Sequence, residues 1–194
     1  MTTDLRPATA VLTELVQRVR DDQLDDPTPC AEMTVGALLD HIDGLCLAFT
    51  AAAAKELGEA TNQPPEPGAA RPDAGWRDRL PARLDEVARA WLSEDAWTGM
   101  TRVGGVDLPG ESAGAAAIDE VLVHGWDLAA ATGQRFPDDD PALEDTVQVA
   151  HDWVVRFVEQ NPEGVPGLFG PPVPVPDDAP VFDRLIGLTG RRPS

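Results

Sequence analysis

Val11, Leu12, Leu15, Val16 and Val19 recur at helical spacing and leave Glu14, Arg18 and Arg20 off the apolar side, so the pattern predicts an amphipathic helix from about Leu5 to Arg20. Pro27 and Pro29 then mark a loop. A second helix is predicted from a Thr34 cap to about Leu57, with Leu38, His41, Leu45, Ala48 and Ala52 along one side. Four prolines between Gly58 and Gly75 argue for a loop there. A third helix follows from Trp76 to about Leu92. The stretch from Thr101 to Ser112 has the wrong glycines and proline for a helix and has room for a short extended piece. A fourth helix runs from about Ala115 and stops at Gly133. A fifth follows Pro141 to about Glu159. Residues 161–180 hold seven prolines and read as extended or turn-like, and VFDRLIGLTG adds one last short helix. No internal repeat or composition shift divides the chain. The expectation is an all-α fold over residues 1–194, one helical bundle with irregular loops.

Composition narrows the partners. Of the 194 residues, 42% are hydrophobic, enough for a sizeable core. Fifteen Lys and Arg against 34 Asp and Glu leave a net charge of −19, which repels nucleic-acid phosphates and anionic lipid. Neither nucleic acid nor membrane is an expected partner, and no run of 18 apolar residues is apparent. Cys30 and Cys46 are too few for a disulfide scaffold and read as free thiols in a reducing cytoplasm. Trp97 looks like an exposed aromatic and favours a homodimer.

Candidate chemistry concentrates in DEVLVHGWD. Glu120 and His124 are four residues apart and share a helix face beside Ala117, Val121 and Leu128. A carboxylate on that apolar side needs a donor or a cation. His41 stands on the apolar side of the second helix. If those two helices are neighbours, His41, Glu120 and His124 converge at one depth and offer three positions of a zinc site. Asp127 is placed to orient His124, to reach the same site or to meet solvent. His151 lies on another helix and is not expected to be a ligand. Cys46, five residues after His41, points away from it and packs. Cys30, in the loop before that helix, is the better placed thiol to approach the site.

TPCAEMTVGALLDHIDG from Thr28 to Gly44, DEVLVHGWDLAAATG from Asp119 to Gly133, and FGPPVPVPDDAPVFDRLIGLTGRRP from Phe169 to Pro193 together resemble the DinB/YfiT-like metal-binding proteins. The nearer likeness is to the actinobacterial branch related to the amino-terminal domain of mycothiol-dependent maleylpyruvate isomerase. Met33 stands where relatives often have Trp. The resemblance implies a DinB-like four-helix bundle with an additional short C-terminal helix, around a divalent metal held by His41, Glu120 and His124. Zinc is the first candidate, with nickel, iron or manganese also compatible with N and O ligands. A separate carboxy-terminal domain of the full isomerase is not expected. The implied cosubstrate is a low-molecular-weight thiol, mycothiol or bacillithiol, used for transfer or isomerisation on a small electrophile. A non-catalytic metal-binding or regulatory protein on the same bundle is the alternative, and a metal-free structural bundle the blandest one.

Overall fold

The structure is a computed structural model that describes residues 2–30, 33–63, 72–165 and 168–193. The apolar spacing at the start of the chain closes into α1 (Arg6–Gln17), which buries Leu12, Leu15 and Val16. Thr34 opens α2 (Val35–Ala53), its hydroxyl accepting the Ala37 N–H at 3.2 Å. That bond satisfies one of the donors that a helix start leaves without an intrahelical partner. A single turn, α3 (Glu59–Asn62), precedes α4 (Trp76–Ala90). The longest helix, α5 (Gly110–Thr132), ends at Gly133 in the left-handed conformation at φ 68°. Then come α6 (Glu144–Gln160) and α7 (Val181–Leu188).

α1, α4, α2 and α5 contact one another in a closed ring, and this is the expected four-helix bundle. Leu12, Leu38, Leu84, Ile118 and Leu122 are almost wholly buried inside it. Asp43 ties α2 to α4 by accepting a hydrogen bond from Arg79 Nε and pairing in charge with Arg83, at 2.7 Å each. Outside the ring α6 packs on α5 and α7 on α6. The carboxy-terminal helices therefore cover one side of the helix that carries Glu120 and His124.

Several details differ from the sequence reading. α2 ends at Ala53 rather than Leu57, because Lys55 turns the chain at φ 59° and its ammonium donates to the Ala96 carbonyl at 2.8 Å. α5 starts at Gly110, so Gly110, Glu111 and Ser112 form its first turn, where the N–H groups need no intrahelical acceptor. The extended piece before it is a full hairpin. β1 (Met100–Val103) pairs antiparallel with β2 (Val106–Pro109) through Gly104 and Gly105, both at positive φ, as a tight hairpin turn requires.

Trp97 is a correction. It is buried, its indole N–H donates to the Trp91 carbonyl at 2.8 Å, and the two rings meet edge-on. It therefore gives no ground for a dimer. A second correction concerns α2, which is long and apolar enough to cross a membrane by length and composition; 61% of its apolar window is buried inside the protein. Parts of three sequence features, residues 31–32 of the first motif, 64–71 of the Gly58–Gly75 loop and 166–167 of the proline-rich stretch, lie outside the described residues.

A candidate metal centre between two helices

Because α2 and α5 are neighbours in the ring, His41 meets the Glu120–His124 face. The rings of His41 and His124 approach edge-on, with centroids 5.1 Å apart. On α5 the one-turn spacing brings His124 Nε2 to 3.0 Å from Glu120 Oε2. One turn further, Asp127 Oδ2 lies 3.1 Å from His124 Nδ1. His124 is thus held at both ring nitrogens, one toward Glu120 and one toward Asp127. Asp127 is wholly buried, and its charge is met by Arg191: Nε reaches Oδ1 and Nη2 reaches Oδ2, each at 2.8 Å.

Arg191 comes from the segment after α7 and is itself buried. Gly190 makes that approach possible. Its φ is 83°, and a Cβ there would come within 2.8 Å of the Gly170 Cα, so the tail passes flush against the proline-rich segment. The guanidinium also donates to the Thr189 carbonyl at 3.1 Å. This planar, two-pronged pairing fixes the Asp127 carboxylate in the plane it presents to His124.

The electrostatics follow from burial set against pairing. Burial opposes a charge on His124, yet hydrogen bonds to Asp127 and Glu120 outweigh it and hold the imidazole up at about 9. Burial would raise the Glu120 carboxyl, but the bond to His124 and the nearby histidine charges leave it lowered. Asp127 is likewise lowered, its burial more than offset by His124 and Arg191. Two carboxylates, Glu120 and Asp127, thus face the His124 imidazole and the Arg191 guanidinium. Asp119, fully buried next to Glu120, is raised well above the usual aspartate value by burial and by that neighbour.

One ligand atom from each of His41, Glu120 and His124 can be chosen so that all three lie within 4.8 Å of one another. Ligands about 2.0–2.1 Å from a tetrahedral zinc ion sit about 3.3–3.4 Å apart, so a closure of at most about 1.5 Å would bring the set onto a cation. Two imidazoles and one carboxylate, with Asp127 fixing the far nitrogen of His124, suit a divalent metal. The residues fit the group.

Cys30, His124 and Asp127 form a second group within the same 4.8 Å limit. Its chemistry is less favourable to a cation. Both Asp127 oxygens are already taken by Arg191, and burial pushes the Cys30 thiol up to about 11. Cys30 does reach the site, as its loop position implies. Cys46 is buried, as a packing residue should be, and burial lifts its thiol to about 12. His151 lies on α6 beside Asp152 and joins neither group among the described residues.

Residues 5–129 match the family model described as the mycothiol maleylpyruvate isomerase N-terminal domain. The chain belongs to this family. It is a DinB/YfiT-like branch with actinobacterial members. Two uncharacterized Mycobacterium tuberculosis proteins, one from each of two strains, are 32% identical to the chain over 177 residues, covering 91% of it and 90% of each of them. Among solved structures, a histidine-to-alanine mutant of mycothiol-dependent maleylpyruvate isomerase superposes with a TM-score of 0.67 at 16% identity, over 96% of this chain and 86% of that one. A second crystal structure of that isomerase gives 0.56 at 19% identity, over 79% of this chain and 65% of that one. At these identities the likeness is one of fold. The first superposition carries the family's fold past residue 129 into the helices that deliver Arg191.

Arg191 is the site residue that sequence reasoning missed. It lies 64 positions from its partner, near the end of the Phe169–Pro193 segment, which was read only for its family likeness and its short helix. The available signal was Asp127 itself, a carboxylate on a mostly apolar helix that had to find a counter-charge.

Proposed function

We propose that this protein is a divalent-metal-dependent enzyme that uses a low-molecular-weight thiol of the mycothiol type for transfer or isomerisation on a small electrophile. The observation that carries the reading is the convergence of His41 from α2 with Glu120 and His124 from α5, in a member of the isomerase-related family. His41, Glu120 and His124 would hold the metal, zinc first, and nickel, iron or manganese would also suit the donor set. Such an ion supplies positive charge that lowers the pKa of a bound thiol and keeps its sulfur nucleophilic near neutral pH.

The chain's own residues do the rest. Asp127 keeps the proton on His124 Nδ1 and so turns the Nε2 lone pair toward Glu120 and His41. Arg191 holds Asp127 in place and neutralises it. Three protein ligands leave at least one position of a tetrahedral set for an exchangeable group. The same reading places the protein in the cytoplasm, where a small thiol is kept reduced.

Cobalt substitution tests the reading. Adding mycothiol to the cobalt-loaded protein should produce a sulfur-to-cobalt charge-transfer band, absent in His124→Ala and retained in His151→Ala. A cobalt-loaded protein with no thiol-dependent band and no turnover of electrophiles would defeat it, and a metal-stabilised binding protein would take its place.

A further inference from the structure

A cavity of about 290 Å³ opens between the end of α5 and the start of α7, close to the lower end of the size range of small-ligand pockets. Trp126, Ala129 and Ala130 line it from α5, on the side of that helix turned away from Glu120 and His124. Phe136 follows the Gly133 turn and Phe182 stands in the first turn of α7. Both are buried, and their rings stack with centroids 4.8 Å apart, which fixes α7 against the end of α5. Asp138 and Asp183 supply the charge. Burial and the neighbouring Asp138 raise the Asp183 carboxyl above its usual value, and neither aspartate is paired with a cation among the described residues. The start of α7 offsets part of the Asp183 charge and still leaves it raised. Arg135, the basic residue of the lining, is committed to Asp139 at 2.6 Å. α5 also brings the negative end of its dipole here, with no basic residue in its last turn.

We infer that this cavity binds a small organic cation, an ammonium group on a short apolar body, at a site separate from the metal centre. The inference goes beyond the proposed function and does not depend on it. A positive charge matches the two unpaired carboxylates and the end of α5, and an ammonium carries N–H donors for both aspartates. The apolar body matches Ala129, Ala130 and the two phenylalanines, while the partly exposed Trp126 offers an aromatic face that attracts a cation. A bare divalent metal is served less well, because neither aspartate belongs to a group of three metal-ligating side chains among the described residues. An anion would meet two carboxylates and a guanidinium that is already taken. A neutral molecule would gain from the apolar walls alone.

The test is a binding titration on the full chain with isotope-labelled indoles, followed by nuclear magnetic resonance, with Trp126→Phe identifying the Trp126 signal. The probes are benzylammonium, benzyl alcohol and benzoate, near in size and different in charge. Benzylammonium should shift the Trp126 indole saturably with a Kd of about millimolar strength, as suits so few atoms. Benzyl alcohol and benzoate should each bind at least about tenfold more weakly. Asp138→Asn combined with Asp183→Asn should weaken benzylammonium at least about tenfold and leave the benzyl alcohol response in place, which shows that the cavity is intact. If that variant does not fold, Asp138→Asn alone, at an exposed position, should still weaken it about threefold. Asp85→Asn removes an exposed carboxylate from α4 and should leave the Kd within about twofold. No saturable benzylammonium shift in the folded wild-type protein, or equally tight binding of benzyl alcohol, would overturn the inference. Calcium binding at the same indole more tightly than benzylammonium would also overturn it, since the site would then belong to a metal ion.

Discussion

Loading a metal onto this site should release about one proton at neutral pH. His124 Nε2 carries a proton shared with Glu120 at 3.0 Å, and the imidazole is held at about 9 because its bonds to Asp127 and Glu120 outweigh the cost of burying the charge. A cation can use that nitrogen only after the proton has left. At pH 7 the two-unit gap costs about 2.7 kcal/mol, equivalent to about a hundredfold loss of apparent affinity relative to the deprotonated ring. Between pH 7 and 8 the apparent affinity should therefore rise about tenfold, and it should level off above about pH 9. The Nδ1 proton stays, because Asp127 accepts it. Titration calorimetry with zinc, repeated at pH 7 in buffers of different ionisation heat, counts the protons directly. A count near zero, with affinity constant from pH 7 to 8, would refute the reasoning. His124 would then be either already neutral or not a ligand.

The same cluster makes further predictions for stability. In chelator-treated protein the raised His124 favours folding fully below about pH 6.5, and that contribution disappears as pH climbs through about 9. The loss should be about 3 kcal/mol by urea denaturation, and a flat profile between pH 6.5 and 9.5 would contradict the charge assignment. Asp127→Asn leaves the Arg191 guanidinium buried against an uncharged partner. It should cost about 3–5 kcal/mol in denaturant and weaken zinc binding about 10–100-fold. A stability change below about 1 kcal/mol would mean that Arg191 reaches solvent.

How far the chain could be read from its sequence depends on how local each determinant is. The spacing of Leu12, Leu15 and Val16, the Thr34 cap and the Gly133 stop act within a turn or two of helix, so they are visible in the residues themselves. His41, Glu120 and His124 were accessible for a related reason: helical spacing puts the last two on one face, and only the pairing of two helices had to be supplied. Trp97 was misread because its burial depends on α5 and on a carbonyl at Trp91, neither of which leaves a periodic mark around it. The Arg191–Asp127 pair spans 64 residues and requires the Gly190 turn, so nothing adjacent to either residue announces it.

The central claim is that His41, Glu120 and His124 together hold one divalent ion. Anomalous diffraction at the zinc edge from crystals of the zinc-loaded protein tests it most directly. The account predicts a single strong peak between α2 and α5, about 2.0–2.2 Å from a nitrogen of each histidine and an oxygen of Glu120. A peak between Cys30 and Asp127 with Arg191 displaced, or no peak near His41, would contradict it.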